Sequence, residues 1–303
     1  MAVIMISQMR ASLFNLVVVT PDNPRLEYLR HLIGNVISRF PCRVLLIKIG
    51  NAPLKTAFFE KAERGIVCDE IDITIPEREL HKIPFLILPQ FLPDLPIYVL
   101  WAEDPASHAE LHAQLEKWAT RFIYDSETAA DFPTFCKTIA KAATEVSDLN
   151  WARIESWRAL LAATFYSEAR LNSLRKAESI SVHYNALETP FFCHTEIQSL
   201  YLITWLKTRL AINPKTSFHP ENNKHLPPGA ILSIDILCRD ETHFSFRRDT
   251  KTPEQIAITL CDEEKCEIPS HTILSKTQAG LSLVNQTYHS DPSPHFMEVL
   301  RVL

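Results

Sequence analysis

The first half of the chain alternates between short, unbroken apolar runs and longer segments with helical spacing. LFNLVVVT (13–20) is continuous and β-branched, which predicts a strand buried on both faces. The segment that follows reads as a turn and an amphipathic helix, with Leu26, Leu29, Ile33, Val36 and Ile37 on one side. CRVLLIKI (42–49), IVCDEIDITI (66–75), IYVLW (97–101) and RFIYDS (121–126) read as four more strands. ERELHKIPFLILPQFL, ASHAELHAQLEKWA and the stretch from about 131 to 145 read as helices between and after them. Strands alternating with helices predict an α/β N-terminal domain over 1–148, with a mostly parallel, Rossmann-like sheet covered by helices.

From 149 to 303 the pattern changes to that of an α+β domain. DLNWARIESWRALLAATFY (148–166) opens on an Asp suited to a helix N-cap and runs as one helix, a candidate bridge between the domains. SISVHYN is a strand, and TEIQSLYLITWLKTRLAI is a helix apolar enough to be largely buried. NPKTSFHPENNKHLPPG reads as a polar, proline-rich loop. AILSIDILC, THFSFRR, QIAITLC and KCEIPS then suggest an antiparallel meander, with two short helices at the end.

The most apolar stretch, IPFLILPQFLPDLPIYVLWAEDP (83–105), has the length of a membrane span. Asp94 near its middle would cost about 2.5–3.5 kcal/mol in lipid, and Pro89, Pro93 and Pro96 each remove a backbone donor. It is better read as a proline-kinked helix, a rigid PDLP turn and a core strand.

Composition narrows the function. The chain of 303 residues holds only 5 glycines, none spaced for a phosphate-binding loop, a dinucleotide fingerprint or a nucleophile elbow. Its formal net charge of -5, without a Lys/Arg run, gives no nucleic-acid footprint. Its 7 cysteines include no CxxC pair, which fits a reduced, cytoplasmic protein. No cofactor, metal or catalytic residue is expected.

Some side chains still carry candidate chemistry. If the strands at 13–20 and 97–101 are neighbours, Asp22, Trp101, Glu103 and Asp104 lie together at the carboxyl edge of the sheet, where open α/β sheets bind ligands. Asp22 and Asp104 could equally cap helices. His108 and His112 have i,i+4 spacing but lack the zincin glutamate. Trp151, Arg153, Trp157 and Arg158 share a helix and suit either a partner or the domain junction. Cys261 and Cys266 flank a short turn and are candidates for a redox-active cross-strand pair.

LFNLVVVTPD, FPCRVLLI, CDEIDITIP, LPQFLPDLPIYVLWAEDP and DLNWARIESWRALLAATF occur in that order. This succession resembles OpcA-type glucose-6-phosphate dehydrogenase assembly proteins, closely over 13–166 and loosely at YLITWLKTRL. Where such proteins usually carry a second aromatic after Trp101, this chain has Ala102. The resemblance implies a non-catalytic partner that binds glucose-6-phosphate dehydrogenase, promotes its active form and supports NADPH production in the oxidative pentose phosphate pathway. The residues alone leave open an alternative: an enzyme or sensor for a sugar phosphate or nucleotide at the Asp22–Asp104 crevice.

Overall fold

The computed structural model describes residues 12–63, 66–249, 251–262, 266–274, 281–288 and 293–303. The chain forms two compact units, one of residues 1–125 and 142–146, the other of 126–141 and 147–303.

The first unit is built on a sheet of order β3-β4-β2-β1-β5-β6-β7. β1 (Asn15–Pro21) runs parallel to β2 (Arg43–Gly50) on one side and β5 (Ile97–Trp101) on the other, with Val19 level with Ile47 and Trp101. β4 (Ile66–Pro76) is parallel to β2, and β6 (Arg121–Tyr124) is parallel to β5. Leu16 to Val19 and Val44 to Ile47 are fully buried, as continuous β-branched runs require. Between β1 and β2, α1 (Arg25–Ile37) buries Leu29, Leu32, Ile33, Val36 and Ile37. The direction of winding reverses between β1 and β5, which makes that point the crevice of this Rossmann-like sheet.

The apolar 83–105 stretch divides as its prolines dictate. Pro84 occupies the first turn of α2 (Ile83–Ile87), where its missing N–H costs nothing, and a 3-10 turn follows at Leu88–Gln90. Asp94 takes a left-handed φ of 62° between Pro93 and Pro96, a conformation that Asp tolerates better than most residues. The buried Asn15 side chain fixes this connection, exchanging two hydrogen bonds with the Leu92 backbone at 2.9 and 3.1 Å.

Around this first sheet, two elements depart from the sequence expectation. Lys55–Glu63 forms β3, antiparallel to β4. The segment from about 131 to 145, expected as one helix, is α4 (Phe132–Ile139) and then β7 (Glu145–Asp148).

The second unit carries a mixed sheet of order β13-β12-β11-β10-β8-β9. β8 (Ala177–Asn185), β10 (Ile231–Cys238), β11 (His243–Arg248), β12 (Gln255–Cys261) and β13 (Ser270–Ile273) pair antiparallel. The segment expected as a loop contains β9 (Lys215–Glu221), which runs parallel to β8. α8 (Ile197–Leu210) connects the two, and a parallel pair needs such a crossover. The last strand is Ser270–Ile273, which begins at the final residue of KCEIPS; within that segment Cys266 makes an isolated bridge to Cys261. The helix expected over 148–166 is two, α5 (Leu149–Arg153) and α6 (Glu155–Thr164), joined at Ile154.

Candidate functional site

The carboxyl ends of β1 and β5 are held together by a hydrogen bond from Ala102 N to Val19 O of 2.9 Å. In a dinucleotide-binding sheet, a glycine turn after β1 would present backbone N–H groups to phosphate. Here the turn is Thr20-Pro21-Asp22-Asn23-Pro24-Arg25, and its two prolines have no N–H to offer. Asn23 Oδ1 accepts from Arg25 N at 2.9 Å, and the buried Arg25 guanidinium pairs with the Asp125 carboxylate just beyond β6. Donors and charge at the start of α1 are thus used inside the protein.

Asp22 is exposed and does not cap α1, whose N-cap is Pro24. It lies against Gly50 so closely that a Cβ there would meet Asp22 Cβ at 3.0 Å, which is why glycine ends β2. Asp104 caps a turn and not a helix, its Oδ1 accepting from Ala106 N at 2.8 Å. α3 (Ala109–Glu116) begins later, with His108 as N-cap in a left-handed φ of 75°. Trp101 is fully buried, edge-on to His112 at 5.0 Å, and its Nε1 donates to Asp104 O at 3.4 Å. Trp101 is therefore a floor, not a contact surface. His112 is 2.8 Å from the Tyr124 hydroxyl and stacks within this aromatic cluster.

Glu103 is a buried carboxylate at this edge. It is 8% exposed, and its Oε2 lies 3.1 Å from His108 Nε2 without the alignment of a hydrogen bond. Burial, aided by the nearby Glu77 carboxylate, pushes its acid up to about 7. Burial also holds the His108 imidazole below its ordinary value. A cleft of about 310 Å³ opens beside His108, between Glu77, Arg78 and His81 on one wall and Glu110 and Gln114 on the other. Sequence reasoning reached Glu103 by strand order, but Glu77 and His81 come from a different connection and left no signal.

In the second unit the Trp/Arg helix turns inward. Trp151 and Trp157 are buried. The Arg158 guanidinium stacks 3.6 Å over the Trp151 ring and donates to Trp151 O at 2.7 Å. Arg248 lies 5.6 Å over Trp157 and donates to Ile231 O at 3.0 Å. Burial pulls both guanidiniums down to about 10, so they stay charged at neutral pH. Arg153 sits 4.9 Å over Phe192 and donates to Asn150 Oδ1 at 2.6 Å. Each cation is spent on an aromatic of its own chain.

Beneath them lies a buried polar network that the sequence did not reveal. Asp148 Oδ1 accepts from Ser126 Oγ, Asn150 N and Trp151 N at 3.0, 2.7 and 3.2 Å, and its Oδ2 from Ser126 N at 2.9 Å. Asn150 Nδ2 bridges Ser126 Oγ to Glu127 Oε1, both at 3.0 Å, while Glu127 Oε2 accepts from His194 N at 3.0 Å.

Cys261 and Cys266 form a disulfide that closes the end of the β12–β13 hairpin. Reduction is expected to speed amide exchange in β13 while leaving β8 and β10 protected. Exchange mass spectrometry with and without dithiothreitol checks this, and equal rates in β13 would show that the bond pins nothing.

Comparison with known proteins finds two family domains in succession along the chain. A family model described as the glucose-6-phosphate dehydrogenase subunit N-terminal domain matches residues 35–141, and one described as the C-terminal domain of that subunit matches 144–300. The chain is similar to OpcA of Synechococcus elongatus, at 27% identity over 198 residues, 60% of this chain and 43% of that one. It is also similar to OpcA of Synechocystis, at 27% identity over 51% of this chain and 32% of that one. The matched segments thus span less than half of these relatives. In fold the chain is similar to KijD10, a 3-ketoreductase from Actinomadura kijaniata, with a TM-score of 0.52 at 7% identity over 95% of this chain and 94% of that one. Among the described residues no helix is long and apolar enough to cross a membrane.

Proposed function

The chain belongs to the OpcA family of glucose-6-phosphate dehydrogenase subunits, and on that premise we propose that it binds glucose-6-phosphate dehydrogenase and promotes its assembly into the active form. In this reading it is a cytoplasmic, non-catalytic protein that supports NADPH supply in the oxidative pentose phosphate pathway. The observation that carries it is the match of both subunit domains, in order, over 35–141 and 144–300. The first unit supports it in kind. A Rossmann-like sheet whose phosphate turn is filled by Pro21, Pro24 and the Arg25–Asp125 pair suits a scaffold better than a dehydrogenase.

Activation needs only that the protein bind the active state of its partner more tightly than the inactive one. A tenfold to hundredfold effect corresponds to about 1.4–2.8 kcal/mol of differential binding. Mixing the chain with the dehydrogenase of the same organism is expected to give a co-eluting complex and at least a tenfold faster rate of NADPH formation. Separate elution with an unchanged rate sinks the proposal. The second reading, a sugar-phosphate or nucleotide sensor near the carboxyl ends of β1 and β5, draws on the cleft beside His108. It predicts instead that such a ligand raises the melting temperature of the chain alone.

A further inference from the structure

Among the described residues the two sheets end in four strands, β3 and β7 of the first, β9 and β13 of the second. An open edge invites pairing with another strand, and proteins guard such edges by shortness, proline, a bulge or charge. β7 and β13 are each 4 residues long, and β9 contains Pro220. β3 has none of these safeguards except charge. It runs for 9 residues without proline and keeps an unbroken register with β4.

Its side chains add to the exposure. Successive residues of a strand point to opposite faces, so Phe58 and Phe59 put one ring on each side of the sheet edge. They are 67% and 47% exposed. Of the two lysines, Lys61 is turned back onto its own unit, with Nζ 3.7 Å from Glu70 Oε2 and 5.9 Å from the centre of the Phe59 ring. Lys55 stands at the end of the strand. A strand added alongside would cover both rings at once and pair the outer backbone groups of β3.

The sequence of β3 suits a copy of itself. In an antiparallel pair, opposed residues point to the same face, so under a two-fold axis one residue must face its own copy. Centred on Phe58, the pair sets Lys55 opposite Lys61 of the copy. Centred on Glu60, it sets that carboxylate opposite itself. Centred on Phe59, no like charges stand directly opposite. Ring then meets ring at the axis, Phe58 meets Glu60 with the second Phe58 on the diagonal, and Ala57 meets Lys61.

We propose that β3 pairs antiparallel with β3 of a second copy of this chain, centred on Phe59, so that the two first-unit sheets become continuous across a two-fold axis. The contact is one strand wide, at the small end of specific interfaces, so the dimer forms and dissociates with concentration. The pairing is independent of binding to the dehydrogenase.

Sedimentation velocity of the full chain over a wide range of concentration tests this. The wild type is expected to pass from monomer to dimer. Phe59→Lys, which sets two cations at the axis, is expected to dimerise at least about tenfold more weakly, with its melting temperature unchanged because the ring is exposed. Phe59→Thr keeps the β propensity and replaces it if lysine disturbs the strand. Register is read separately by mild oxidation. Phe59→Cys, which faces its own copy, is expected to give a covalent dimer faster than Phe58→Cys or than the wild type, which controls for the exposed Cys193. A wild type that stays monomeric throughout overturns the proposal, as does a dimer indifferent to both Phe59 variants. Faster cross-linking at Phe58 overturns the register. Dehydrogenase binding lost in Phe59→Lys, with no wild-type dimer, gives the edge to that partner and overturns the pairing of copies.

Discussion

Asp148→Ala is expected to destabilise the second unit by about 3–5 kcal/mol, the largest loss from a single polar side chain in the network around it. The carboxylate has two jobs. It is the N-cap of α5, accepting from Asn150 N and Trp151 N, a role whose loss alone costs ~1 kcal/mol. It also satisfies both the backbone N–H and the hydroxyl of Ser126, which is fully buried. Alanine leaves these donors without water or partner, at ~1–3 kcal/mol for a backbone group. Asp148→Asn keeps an acceptor at the cap and should lose less than half as much. Urea denaturation followed by tryptophan emission reads the effect, because Trp151 and Trp157 are buried directly beyond the network. A midpoint shift under ~1 kcal/mol for the alanine variant would mean that the network is replaceable by water. In that event Ser126 and Asn150 cannot be the rigid base on which the helix pair stands.

The network also shows where sequence reading stops. Asp148 was legible as a helix cap, because Asp before LNWAR is a local signal. Ser126, Glu127 and His194 were not, since their meeting depends on tertiary placement. The parallel sheet was legible for the opposite reason. β1, β2 and β5 are buried on both faces, so their own composition declares them.

The three overlooked strands lie at edges, β3 and β7 of one sheet and β9 of the other. Phe58 and Phe59 of β3 are both exposed, and β9 contains Pro220 between His219 and Glu221. An edge strand answers to a neighbour's backbone more than to a core, so its side chains need no apolar period, and proline is tolerated there. The break at Ile154 has no glycine or proline to announce it, and nothing in the sequence explains why one helix became two. At the crevice, strand order placed Asp22, Trp101, Glu103 and Asp104 on one edge. Side-chain burial then sorted them, with Trp101 to the core, Asp22 and Asp104 to turns, and Glu103 to a buried position beside His108.

That sorting leads to the second large effect. Glu103→Gln is expected to stabilise the protein at pH 8 by about 2–3 kcal/mol and to change little at pH 4.5. The folded acid titrates near 7, above the ordinary 4.5 of the unfolded chain. Between those values the folded state holds a proton that the unfolded state has released. Stability therefore falls as pH rises through this window and is level above it. Glutamine fills the same space, never ionises, and removes that slope. His108, held below its ordinary value by burial, lies too close to be ignored. If it took the proton as Glu103 lost it, the pair would stay neutralised and the wild-type slope would be shallow. Thermal unfolding of both proteins between pH 4.5 and 8.5 separates these cases. A wild-type slope that survives in Glu103→Gln places the titration elsewhere. A slope lost in the variant, with a gain at high pH, shows that the carboxyl edge of β5 carries a group kept at the expense of stability, a property that clusters at binding and catalytic sites.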